Sequence, residues 1–283
     1  MVDDSRAGFD APMNDFIAVV ARRAGAELRR YFRSATLRHD DKGAWDLVTE
    51  ADHAAESLII GAIRERFPDH DVLGEESGRS GAAARWLWLI DPLDGTLNYS
   101  RGLTTWGVSI ALAEDGEVRY GAFYDPLQDE LFYAERGKGA RLDGRPLRTS
   151  GATRLADALV YTSLPHGPGQ EARLRNVERL SPVVMRLRMS GSVGAALAGI
   201  AAGRMDAAIE AGGGAWDYAA GGLLVREAGG HTSTVDGQPS LAETTTMLAA
   251  ATPTLHDALW GVIGRYSVSE KESDEAAGAR AAI

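Results

Sequence analysis

Apolar residues recur at steps of four near the start of the chain, at Phe16, Val20, Ala24, Leu28 and Phe32, while Arg22, Arg23, Arg29 and Arg30 fall mostly on other faces. This spacing predicts an amphipathic helix over 12–33, its arginines a solvated face rather than a binding patch. A second helix is expected to open at Thr49-Glu50-Ala51-Asp52, close in form to a capping box. It should run through Leu58, Ile59, Ala62, Ile63 and Phe67 and stop at Pro68. From Trp86 to Leu147 the rhythm changes to short apolar runs split by Asp115-Gly116, Asp125-Pro126 and Asp143-Gly144. Such runs and turns predict an antiparallel meander.

Beyond Ser150 the pattern alternates. Strands are predicted near 158–162, 183–189 and 205–210, and helices near 170–180, 193–202 and 216–228, the last two stopped by Gly203 and by Gly229-Gly230. Alternation of this kind predicts an α/β arrangement. The chain therefore divides into an N-terminal α+β domain over 1–150 and a C-terminal α/β domain over 151–266. The polar, small-residue-rich tail of 267–283 is expected to be disordered. No internal repeat is present.

A length of 283 residues with 45% hydrophobic and 25% charged residues fits a globular protein. The formal net charge of -10 argues against nucleic-acid or anionic-membrane partners, whose attraction needs clustered Lys and Arg. An anionic substrate would then need bound cations or aimed N–H groups. With no cysteine there is no disulfide, thiolate nucleophile or Cys-held zinc. The acidic start lacks a signal-peptide pattern and no apolar run is of membrane-spanning length, so a cytoplasmic location is expected.

The stretch Ile90-Asp91-Pro92-Leu93-Asp94-Gly95-Thr96 changes this picture most. An apolar run carries Asp91 to a strand end, and a helical turn there would bring Asp94 to within about 60° of it around the axis. Carboxylates held that close repel unless protons or metal ions lie between them. The N–H groups of Gly95 and Thr96 could cradle a phosphate. Glu75, Asp52 and Asp217 stand at comparable loop or helix-start positions. An all-carboxylate donor set points to magnesium or manganese rather than zinc. Taken singly, Asp52 and Asp217 read as helix caps, Glu75-Glu76 as a solvated loop, and Gly212-Gly213-Gly214 as a plain turn. Ser192 reads as a helix cap, since the pattern around it is not that of a nucleophile elbow.

Together, "DLVTEAD" (46–52), "GEES" (74–77), "DPLDGTLNY" (91–99) and "WDYAAGGLLVREAGG" (216–230) resemble the inositol monophosphatase family in type, order and spacing. The resemblance extends from about residue 10 to 265. It implies a layered α-β-α-β-α sandwich, with an antiparallel sheet in the first half and a mixed sheet in the second. It also implies that Glu75, Asp91 and the Leu93 carbonyl hold one magnesium and that Asp91, Asp94 and Asp217 hold another, with a third, weaker ion near Glu75. On the same basis Asp52, Glu75 and Thr96 are catalytic, Thr96 positioning the attacking water, and the N–H groups of Gly95 and Thr96 bind phosphate. Asp94, Ala196 and Glu210 would contact the substrate, a small polyol phosphate such as inositol 1-phosphate. Lithium inhibition and a homodimer are implied as well. Leu97, where many members have Thr, and the glycine triplet depart from the pattern at the substrate rim.

Other readings remain open at this stage. Histidinol phosphate, other sugar phosphates or nucleotide phosphates would be substrates of related members, and a non-catalytic metal-binding regulatory protein would keep the same carboxylates. A phosphatase with an aspartyl intermediate needs Asp-x-Asp, and Leu93 stands where its second aspartate would be. A helix-loop-helix calcium site needs a repeated Asp-x-Asp pattern that is absent.

Overall fold

The computed structural model describes residues 13–34, 39–43, 46–81, 84–163, 170–234 and 246–264, so the expected tail over 267–283 lies outside the described residues. Helix α1 (Met13–Tyr31) buries Val20, Ala24 and Leu28 of the predicted stripe together with Ile17 and Ala21, while Phe16 is half-buried and Phe32 lies just past the helix end. Strands β1 (His39–Gly43) and β2 (Asp46–Thr49) pair as an antiparallel ribbon. The capping box is present: the Thr49 side chain accepts from Ala51 N–H and Asp52 accepts from the Thr49 N–H, opening α2 (Glu50–Arg66).

Next come β3 (Asp71–Gly74), β4 (Gly78–Ser80), β5 (Trp86–Asp94) and the short α3 (Thr96–Ser100). Strands β6 (Gly107–Glu114), β7 (Glu117–Asp125), β8 (Glu130–Glu135), β9 (Gly139–Leu142) and β10 (Arg145–Pro146) complete the first sheet. Its order is β10-β9-β8-β7-β6-β5-β3-β4. The meander from β5 to β10 is antiparallel as expected, but β3 runs parallel to β5, so this sheet is mixed rather than wholly antiparallel. The cause is β4: it folds back along the outer side of β3 and returns the chain to the end from which β3 started.

The second half contributes β11 (Leu159–Thr162), α4 (Gln170–Leu180), β12 (Arg186–Arg188), α5 (Val193–Ala201), β13 (Ala207–Ala211) and α6 (Ala215–Glu227). It closes with β14 (His231–Ser233), β15 (Thr246–Ala250) and α7 (Pro253–Ile263). The strands form a mixed sheet in the order β12-β11-β13-β15-β14.

Strand alternation sorts the core into layers. On β5, Trp88 and Ile90 pack with α1 and α2, whereas Leu89 faces α5 and α6. On β13, Ala208 faces α5 and α6, whereas Ala207 and Ile209 pack with Leu180 of α4 and Leu255 and Leu259 of α7. The result is the α-β-α-β-α stack, with α5 and α6 between the sheets. Small residues let that middle layer sit close: a Cβ on Gly121 of β7 would stand 2.9 Å from the Cα of Ala220. Among the described residues, no helix is long and apolar enough to cross a membrane.

Candidate active site

Strand β5 delivers the two aspartates by a route other than the expected helical turn. Asp91 pairs with Ser109 and Asp94 with Gly107, so three steps along β5 match two along β6. Residues three apart on a regular strand point to opposite faces, and the one extra residue of this bulge turns Asp94 back towards the side of Asp91. The chain leaves the strand through Gly95, at φ 93°, where a Cβ would stand 2.9 Å from the Thr105 carbonyl oxygen. Glycine is required there, and α3 begins only at Thr96.

Four carboxylates meet at this strand end. Asp91 is buried, and burial followed by the charges of Glu75, Asp94 and Asp217 pushes its carboxyl well above the usual range. Glu75 arrives from the end of β3, its N–H bonded to the Ile90 carbonyl at 3.1 Å. Asp217, in the first turn of α6, accepts from the Gly214 N–H at 2.6 Å. Burial and the Glu75 charge nevertheless hold its carboxyl well above the usual range. Asp94 rests on the N-terminus of α5, accepting from the Ser192 hydroxyl and from the N–H groups of Val193 at 3.2 Å, Gly194 at 2.9 Å and Ala195 at 3.3 Å. Burial pushes it up to about 6 against these bonds.

Among the described residues no three acidic or imidazole side chains are already gathered in ligating geometry; Asp94 and Asp217 are instead turned onto helix N-termini. The donor chemistry fits magnesium all the same. The ligands available are hard oxygens, Asp91 and Asp94 buried and Glu75 and Asp217 half-buried beside them, whose mutual repulsion a divalent cation would relieve.

Beside this group, the Thr96 hydroxyl lies 3.2 Å from Asp52 Oδ1 and 3.0 Å from the Leu93 carbonyl oxygen. Having one hydrogen, it serves one of these acceptors at a time. Asp52 Oδ2 accepts from the backbone and hydroxyl of Thr49. Asp52 thus completes the capping box begun by Thr49 and is also the partner of Thr96, and burial pushes its carboxyl up to about 6.

Glu210 is buried on β13 with Oε1 accepting from Ser163 and from the Ala211 N–H. Its Oε2 is buried without a hydrogen-bond partner, and the neighbouring Tyr161 hydroxyl lowers the carboxyl's proton affinity. Burial raises this carboxyl to about 7, and its charge is felt at Asp217. Ala196 is not brought to the site. It packs in the core between the sheets, and its N–H is bonded to the Ser192 carbonyl. Ser192 caps α5 as expected but also donates to Asp94, a role its sequence context did not suggest. Asn98 ties α3 to the approach to α5 through the carbonyls of Thr105 and Ser190, each at 2.7 Å.

A family model described as "Inositol monophosphatase family" matches residues 11–266. The chain belongs to that family. Its sequence is 42% identical over 236 residues to the Nus factor SuhB of Pseudomonas aeruginosa, covering 80% of this chain and 87% of the relative. It is 39% identical over 233 residues to an inositol-1-monophosphatase of Mesorhizobium japonicum, covering 81% and 88%. Among solved structures, the extragenic suppressor protein suhB of Bartonella henselae superposes with a TM-score of 0.86 at 34% identity, over 91% of this chain and 100% of that one. The family is one of phosphatases and is typically magnesium-dependent.

Proposed function

We propose that the chain is a magnesium-dependent phosphomonoesterase acting on a small polyol phosphate, inositol 1-phosphate first among the candidates. The observation that carries the reading is the meeting of Glu75, Asp91, Asp94 and Asp217 at the end of β5 with the Asp52–Thr96 pair beside them. Glu75, Asp91, the Leu93 carbonyl, Asp94 and Asp217 would hold two or three magnesium ions, or manganese. When bound, such ions supply charge neutralisation at the phosphate and a lower pKa for water. The N–H groups of Gly95 and Thr96 would hold phosphate oxygens. With its hydrogen given to Asp52, the Thr96 oxygen is an acceptor able to orient a water for in-line attack. Asp52 takes the proton through that hydroxyl, and its raised proton affinity suits a base working near neutral pH.

Glu210 supports a polyol. Its Oε2 is an acceptor in need of a donor, a task a ring hydroxyl of the substrate would meet. A buried acceptor left unmet costs about 1–3 kcal/mol, so substrates lacking that hydroxyl should be disfavoured several-fold or more. Specificity constants for inositol 1-phosphate, histidinol phosphate and a phosphoadenosine phosphate, in wild type and Glu210→Ala, test this. Preference for histidinol phosphate, or a ranking unmoved by the substitution, would reject the polyol assignment and leave the phosphatase reading intact. Lithium added to the same assays should lower the rates.

A second reading comes from the relatives named Nus factors, which are as similar to this chain as the one named a phosphatase. On that reading the chain would act as a Nus factor, and its acidic charge favours a protein partner over nucleic acid. An in vivo role kept intact by Asp91→Asn would favour it over hydrolysis.

A further inference from the structure

The inner face of α2 carries a second buried carboxylate besides Asp52. Glu56 lies one helical turn after Asp52, on the same face, and is only 4% exposed. Its Oε1 accepts from the N–H of Glu76 at 3.0 Å and from the N–H of Ser77 at 3.3 Å. Both donors belong to the turn between β3 and β4 that carries Glu75. The fit from below is close: a Cβ on Gly74 would stand 2.1 Å from that same oxygen. Gly74 has no side chain where the carboxylate sits.

Glu75 is therefore fixed from two sides. Its own N–H is tied to the Ile90 carbonyl, the residue before Asp91, and the two N–H groups that follow it are tied to Glu56. The turn is three residues long, 75–77, and the Glu75 side chain it carries reaches Asp91.

We propose that Glu56 is a positioning residue for the metal site: by accepting the Glu76 and Ser77 N–H groups it aims Glu75 at the cation that Asp91 shares. This rests on the reading of Glu75 as a magnesium ligand. Glu56 and Asp52 then divide the work of α2, the first holding a ligand in place and the second holding Thr96.

The role belongs to the reach of the acceptor and not to its charge, and two conservative substitutions separate these. Glu56→Gln keeps the length and an accepting oxygen but removes the charge. Glu56→Asp keeps the charge but withdraws the acceptor by one methylene from the two N–H groups. Magnesium affinity of the metal-stripped protein, measured by calorimetric titration with thermal unfolding as a check that each variant folds, reads the difference without requiring turnover.

The expected result is near wild-type affinity for Glu56→Gln and a loss of about 10- to 100-fold for Glu56→Asp, the range typical when a ligand's supporting partner is removed. The reverse order would make Glu56 a charge contribution and overturn the proposal, as would equal affinities or equal losses in both variants. A wild type that binds no magnesium would remove the metal reading itself and this inference with it.

Discussion

Asp91 and Thr96 lie five residues apart in one motif, and the proposed function gives them separable tasks. Asp91 is the buried carboxylate on which the charges of Glu75, Asp94 and Asp217 all act, so Asp91→Asn should weaken magnesium binding strongly. Thr96 makes its bonds to Asp52 and to the Leu93 carbonyl. Thr96→Ala should lower kcat by about 100-fold or more while largely sparing magnesium affinity. Metal titrations and rates on both variants check this; equal loss of metal binding would show that Thr96 has been given the wrong task. At this scale the sequence singled out Glu75, Asp91, Asp94 and Asp217, and the fold brings their charges to bear on one another at the end of β5. Their geometry was not legible in the sequence: a spacing of three fits both a helical turn and a bulged strand, and only pairing with β6 distinguishes them. Ala196 was misplaced for a related reason. The residues that present N–H groups at the α5 start are Val193, Gly194 and Ala195, while Ala196 already bonds within the first turn.

Among the elements, those with a strong period were legible and those without one were not. The stripe of α1 follows from the helical side-chain period, and the Asp115-Gly116 and Asp143-Gly144 turns from the left-handed backbone these residues adopt. Strands β1 and β4 are short and polar and β2 has only Leu47-Val48, so none shows an apolar alternation to reveal it. The predicted strand over 183–189 shrinks to Arg186–Arg188 because β12 is an edge strand bonded on one side only. The close approach of α6 to β7 carries a prediction against the usual sign. Gly→Ala in ordered backbone commonly stabilises by restricting the unfolded chain. At Gly121 the added Cβ would meet the backbone of Ala220 at 2.9 Å, so Gly121→Ala should instead destabilise by about 1–3 kcal/mol. Urea unfolding of the metal-free protein checks it, and an unchanged or raised midpoint would contradict the packing described.

Across the whole molecule, the layers bring together carboxylates that the folded, metal-free protein holds at raised proton affinity. Asp52 and Asp94 sit at about 6, Glu210 at about 7, and Asp91 and Asp217 well above their usual range, burial being the leading cause in each. Between the ordinary carboxyl values of 3.8 and 4.5 and these raised ones, the folded state binds more protons than the unfolded state. Stability without metal should therefore fall as pH rises through that window. The thermal midpoint of the stripped protein should be higher at about pH 5 than at about pH 7.5, and magnesium should restore it at the higher pH by binding the folded state. A midpoint that climbs steadily over that range without metal would contradict the burial of these groups.

The central claim is that this carboxylate cluster serves phosphate ester hydrolysis. Phosphate release from inositol 1-phosphate, followed with magnesium, after EDTA, and after magnesium is added back, tests it most directly. The account predicts turnover that EDTA abolishes, that magnesium restores, and that Asp91→Asn lacks under all three conditions. Full turnover in EDTA, or a magnesium-loaded wild type that releases no phosphate from any ester offered, would contradict it.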